Sequence, residues 1–383
     1  MRKKVLFLEN QTYNSNIVVG SHHYAKLFSK DHDVLWISLP WHIFQIIKDK
    51  KSDRFKNWNL NKPQIISDGL SAFTPFVPLP IRDFPILNST FLIENFINFM
   101  PGLKILLKKS GFVKPDLVWI SDPRHISILK YVTEAPVVYR CVDNLQHFSD
   151  VPKSLLKIEQ DLIESTQTTF FTSKDLMRKF QQFCQNSYYL PNGCDYDFFS
   201  LNNKNISENS TDKYFKKDKI NILYMGAIAE WFDFEIIDYA SINANYNFII
   251  VGPIRTAIPT SIKDKNNIIF TGTLPYESMP FLVNKADVGI IPFKINEMTD
   301  YVNPIKLYEY CAGGINVISS NFKTVSEIEG PFYKYKNKND FAIILEKLCK
   351  NLYANFSKEK IIEFAKSNSW EKRYDYINKK IQF

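Results

Sequence analysis

Lys306 and Glu309, in the run Asn303-Pro304-Ile305-Lys306-Leu307-Tyr308-Glu309, have the types and spacing that suit a nucleoside diphosphate. Three residues apart on one helical face, an ammonium can neutralise phosphate while a carboxylate accepts hydrogen bonds from the two hydroxyls of a ribose. Asn303 reads as an N-cap and Pro304 as a pre-organised first helical residue, so the helix begins with free backbone N–H groups and the positive end of its dipole. Asn303, Lys306, Leu307 and Glu309 are therefore assigned to the nucleotide, the alternative being a surface helix with an ordinary Lys/Glu pair. Gly313-Gly314 stop this helix before a β-branched strand, Ile315 to Ser319.

A second group lies at the ends of two apolar strands, 116–121 and 136–141. They deliver Asp122-Pro-Arg-His125 and Val142-Asp143-Asn144-Leu145-Gln146-His147, and sites in open parallel sheets form at such carboxyl ends. An attacking hydroxyl needs a group to take its proton, and Asp143 is the candidate base. The alternative for Asp143 is an N-cap for the next helix, with His147 or Asp150 then next in line. Arg255, after Gly252-Pro253, could steady a phosphate or a donor carboxylate, or be a surface arginine.

The elements that must position these groups alternate between strand and helix along the chain, the pattern of doubly wound α/β sheets. A length of 383 residues with 45% apolar content allows two such domains. The expected division is 1–200, with 365–383 packing back on it, a polar linker at 201–218, and a second domain at 219–364. The first domain opens with strand Val5 to Leu8 and a helix from near His22 to Lys30; Gly20 before it is no spaced-glycine dinucleotide fingerprint. Between Phe73 and Phe112, phenylalanines and prolines precede Lys104, Lys108 and Lys109. That is the composition either of an amphipathic element on an anionic membrane surface or of a core helix with solvated lysines.

A net charge of +8 without a dense Lys/Arg block argues against nucleic acid as a partner. The five cysteines form no CxxC pair and no ligand-like cluster with the six histidines, so no zinc site is expected and the thiols read as reduced. Met-Arg-Lys-Lys and the short apolar run after it do not make a signal peptide, and no run is long enough to span a membrane. The expected location is cytoplasmic, peripheral at the inner face of the cell membrane if 73–109 binds lipid.

The run from Gly272 through Asp287 and Phe293 to Gly314 resembles the donor-binding half of GT-B glycosyltransferases. It is most similar to bacterial polysaccharide enzymes near families GT4 and GT70, including teichuronic acid and xanthan-type glucuronosyltransferases. Pro191-Asn192-Gly193-Cys194-Asp195 resembles the turn closing their first domain, with Asp195 and Asp197 read as structural. Val142-Asp143-Asn144 resembles a cleft-facing turn, Gly226 with Trp231 to Asp233 the donor-side glycine loop, and Asn368 to Arg373 the tryptophan-bearing last helix. The resemblance implies two Rossmann-like domains facing a cleft, a nucleotide-sugar donor with UDP favoured, a glycan or lipid-linked acceptor, and no metal. It also places Gly20 where substrate approaches the backbone, with Ser21 and His22 as substrate contacts, the alternative being a helix cap with solvent histidines; His147, beside Asp143, is assigned to the substrate as well. One departure matters: retaining members carry a second acid, with seven residues between it and the position of Glu309. Here that earlier position is Tyr301, and Asp300 is out of register by one. An inverting, single-displacement transfer is therefore expected, with a sugar-nucleotide epimerase or a non-catalytic nucleotide- or lipid-binding subunit as alternatives.

Overall fold

The computed structural model describes residues 2–15, 17–48, 58–77, 102–132, 134–148, 151–200, 211–350 and 356–381. Most of the basic segment from Lys48 to Lys56, the apolar stretch from 78 to 101, Asp150 and the linker residues 201–210 lie outside them. The chain divides into two compact units, Met1–Pro191 with Tyr374–Phe383, and Asn192–Arg373. The boundary thus falls inside the Pro-Asn-Gly turn rather than near 200. Gly193 shows why the turn goes with the second unit: a Cβ there would come within 2.6 Å of the Asn368 carbonyl oxygen, and Cys194 N–H donates to that same oxygen.

In the first unit, β1 (Lys4–Glu9), β2 (Asp33–Ser38), β4 (Gln64–Ser67), β5 (Leu70–Phe73), β7 (Leu117–Ile120), β8 (Val137–Cys141), β9 (Thr168–Phe171) and β10 (Ser187–Tyr189) form one sheet. Its order is β10-β9-β8-β7-β1-β2-β5-β4. All neighbours pair in parallel except β4 and β5, and β3 (Trp41–His42) pairs β6 (Phe76–Val77) as a separate ribbon. Strands such as Val5-Leu6-Phe7-Leu8 and Leu117-Val118-Trp119-Ile120 are fully buried, as expected of a parallel sheet covered on both faces. The first helix is Gly20–Phe28, two residues earlier at each end than its sequence pattern suggests. Its Phe28 ring meets Phe7, and Tyr374 from the returning chain end packs edge-on against Phe28 at 4.8 Å.

The second unit is a six-stranded parallel sheet: β11 (Ile220–Met225), β12 (Tyr246–Val251), β13 (Ile268–Gly272), β14 (Val288–Ile291), β15 (Asn316–Ser320) and β16 (Tyr333–Tyr335). The order β13-β12-β11-β14-β15-β16 reverses direction between β11 and β14. A ligand crevice opens at such a switch point, outside the carboxyl ends of the strands. In the first unit the same reversal lies between β1 and β7.

Candidate active site

The second unit places its groups at the β11/β14 switch. Gly226 follows β11 directly with φ +141°, a conformation that only glycine adopts without strain. Gly252, after β12, has φ +142°, and a Cβ on it would overlap the Gly226 carbonyl oxygen. The two loops then run together, Ile228 N–H donating to Pro253 O at 3.0 Å and Arg255 N–H to Ile228 O at 2.8 Å. Arg255 is held by its backbone with its side chain exposed, making no ion pair among the described residues.

The helix Ile305–Ala312 follows β14 and its loop. Tyr310 is buried under it, seated where Gly289 leaves room and accepting from Met225 N–H at 2.8 Å, so the helix is pinned to the end of β11. Gly314 at φ +72° ends it as the sequence suggests. The start differs. Pro304 occupies the cap position and Asn303 is no cap: its Oδ1 accepts from Asn192 N–H at 2.9 Å, Asn192 Nδ2 donates to its carbonyl oxygen at 2.6 Å, and its Nδ2 donates to Tyr308 Oη. The Asn303 amide is thus buried and engaged by the domain-closing turn and Tyr308. Leu307 is likewise corrected as a side-chain contact: it is fully buried in the core, and its N–H donates to Pro304 O.

Lys306 and Glu309 keep their expected relation. The Lys306 ammonium lies over the rings of Phe293, 4.6 Å from the centroid, and Tyr224, at 5.3 Å, and Gly226 lies against its tip. Burial pushes the Lys306 pKa down to about 8, with Glu309 opposing. Burial likewise pushes Glu309 up to about 7, while Lys306 and the Tyr276 hydroxyl pull it back and Asp195 adds to the rise. A desolvated cation without a full counter-charge at the positive end of a helix dipole is poised to gain from an anion. Asp195 caps the helix Tyr196–Phe199 through Phe198 N–H, consistent with a structural role. Asp300 is also used locally: its Oδ1 accepts from Lys323 N–H at 2.9 Å and its carbonyl from Thr324 Oγ1.

In the first unit, Asp143 follows β8. Cap position before the short helix Leu145–His147 belongs to Asn144, so Asp143 is not spent as an N-cap. Its carboxylate makes no hydrogen bond among the described residues; burial raises its pKa and Arg140 opposes the rise. Lys179 Nζ anchors the turn by donating to Asn144 Oδ1 at 2.7 Å and Gln146 Oε1 at 3.2 Å. His147 is half-buried on that turn.

Gly20, the first residue of its helix, is buried. Ser21 pairs with Ser121 Oγ at 3.2 Å. His22 is corrected as a substrate contact, since it is buried, its Nδ1 accepts from Val19 N–H, and its ring packs on Trp36 at 4.7 Å. Sequence reasoning missed Glu9. At the β1/β7 switch it is 3% exposed, accepts from Ser121 Oγ at 2.8 Å, and is pushed by burial to a pKa of about 8, with Ser121, Ser21 and Arg140 opposing. Beside it Asp122 stays low despite burial because Arg124 grips it with Nε at 2.8 Å. The one sequence signal was an acid ending a fully apolar strand.

Residues 219–351 match the family model "Glycosyl transferases group 1". The Bacillus subtilis (strain 168) protein described as "Putative teichuronic acid biosynthesis glycosyltransferase TuaH" is 25% identical over 234 residues, 58% of this chain and 58% of its own length. Among solved structures, Anabaena HepE in complex with UDP and glucose aligns with TM-score 0.69 and 14% identity over 99% of both chains. Sucrose-phosphate synthase from Thermosynechococcus elongatus aligns with TM-score 0.69 and 13% identity over 99% and 98%. The fold is therefore that of the GT-B glycosyltransferases, and residues 219–351 are similar to the glycosyl transferases group 1 family.

Proposed function

We propose that this chain is a glycosyltransferase that moves a sugar from a nucleoside-diphosphate donor to a glycan or lipid-linked saccharide acceptor in cell-surface polysaccharide assembly. The observation that carries this reading is the Lys306 ammonium at the head of a helix, against Gly226 at the β11/β14 switch point. The donor diphosphate lies on the first-turn amides with Lys306 neutralising the charge that builds on it as it leaves, and Glu309 accepts from the ribose hydroxyls. UDP is the favoured nucleotide, supported by the UDP complex of the Anabaena neighbour. The positive charge comes from Lys306 and the helix, and no metal is invoked.

Asp143 takes the proton of the acceptor hydroxyl, its raised pKa making it a stronger base than an exposed aspartate. Asp300 is engaged by Lys323 N–H, which favours a single displacement with inversion over a mechanism needing a second acid there. His147 and the Gly20–Ser21 helix start lie on the acceptor side of this scheme, and Arg255 is a reserve contact for donor phosphate. Peripheral membrane association through 73–109 accompanies a lipid-linked acceptor; Lys104, Lys108 and Lys109 are exposed on a helix whose Leu106 and Leu107 are buried.

The test is incubation of the protein with UDP-sugars and a bacterial membrane fraction, following UDP release and label in extracted lipid. Acceptor-dependent release supports the proposal. Nucleotide binding with no release from any UDP-sugar would instead mark a nucleotide-binding subunit.

A further inference from the structure

A second cleft in the first unit is built differently from the phosphate site. It is lined by Tyr13 and Asn14 from the loop after β1, by Trp41 just past the end of β2, by Trp58 and Lys62 ahead of β4, and by Thr74 after β5. It therefore opens at the carboxyl ends of three neighbouring strands, β1, β2 and β5, where this architecture binds ligands.

Its aromatic side chains are fixed. The Trp58 indole N–H donates to Thr74 O at 2.8 Å, and its ring meets Trp41 edge-on at 5.0 Å. Trp41 N–H donates to Pro75 O, and Thr74 Oγ1 pairs with Ser38 Oγ at 2.7 Å, so both tryptophans are tied to the ends of β2 and β5. Tyr13 stands edge-on to the buried Trp36 at 5.2 Å. Around the opening, Asn14 Nδ2 donates to Gln64 Oε1 and Asn61 N–H donates to Asn59 Oδ1. These bonds orient the amides of Gln64 and Asn59 while leaving their own N–H donors, and the Lys62 ammonium, without a partner among the described residues.

This combination selects a ligand class. A pyranose presents a face of C–H groups polarised by the neighbouring oxygens, which the negative face of an aromatic ring attracts, and an edge of hydroxyls that needs amide and ammonium partners. A phosphate would find one lysine and no helix start here. An apolar chain would leave the amides unpaired. We propose that the Trp58 cleft is a saccharide subsite that seats one pyranose ring of the acceptor glycan. The assignment rests on the transferase reading for the identity of the glycan, whereas sugar binding itself is independent of the donor site.

Saturation-transfer NMR with the methyl glycosides of glucose, galactose, mannose and N-acetylglucosamine tests it on the full chain. At least one glycoside should receive saturation at its ring C–H protons from the wild type. Trp58→Ala should lose the signal, and Trp58→Phe, which keeps an aromatic face, should retain part of it. UDP titration and thermal unfolding of the same Trp58→Ala sample show whether it is folded. No transfer to any of the four glycosides, or transfer unchanged in folded Trp58→Ala, overturns the subsite. If UDP binds while the glycosides do not, the subsite fails and the transferase reading stands; if glycosides bind and UDP does not, the reverse holds.

Discussion

The Lys306 ammonium lies 3.3 Å from the position that a Cβ on Gly226 would occupy, with the Lys306 Cε at 3.2 Å. A glycine at the end of one strand thus holds open the space occupied by a lysine from a helix 80 positions along the chain. Gly226→Ala combines strain at φ +141° with pressure on that lysine. Isothermal titration with UDP should show affinity at least tenfold weaker than wild type, with thermal unfolding lowered as well.

Proton linkage should reveal both charged groups of the donor site. Lys306, at about 8, is partly neutral at pH 8.5, so UDP binding there should take up protons. Glu309, at about 7, is mostly protonated at pH 6, and accepting ribose hydroxyls requires its carboxylate, so binding there should release protons. Calorimetry in buffers of different ionisation enthalpy reads both signs. Lys306→Ala should abolish the uptake and Glu309→Gln the release.

Asp143→Asn keeps the shape of the side chain and removes the base. Transfer into extracted lipid should fall by about 10²–10⁴-fold, the span expected of a lost general base, while UDP affinity stays as in the wild type. Equal loss of UDP affinity would place Asp143 outside the proton-transfer role.

Glu9 links stability to pH. Its pKa is about 8 in the folded chain against an ordinary 4.5, so the folded state binds the extra proton, and stability is full below about 4.5 and declines as pH rises through 8. Glu9→Gln preserves an acceptor for Ser121 and removes the titration. Urea unfolding at pH 5 and pH 8 should show a smaller loss for the variant, which should be the more stable protein at pH 8.

What the sequence revealed was what is local in it. Lys306 and Glu309 lie within one short helix that the glycines after it end, so their spacing alone put the two on one face. Glu9, Ser121 and Arg140 escaped notice because they meet only once β1, β7 and β8 are side by side. Asn303 was misread for the same reason. A cap was the best local use of its side chain, and Asn192, 111 residues away, offered a better one. His22 read as a polar residue at a helix start, but Trp36 and Val19 take it into the core.

The most direct measurement is calorimetric titration of UDP into the wild type, Lys306→Ala and Glu309→Gln at pH 7. The account predicts saturable one-site binding to the wild type, weakened in each variant by about 1–3 kcal/mol, the size of a lost hydrogen bond to a charged group. Wild-type affinity for UDP in both variants, or no binding of UDP to the wild type, would contradict it.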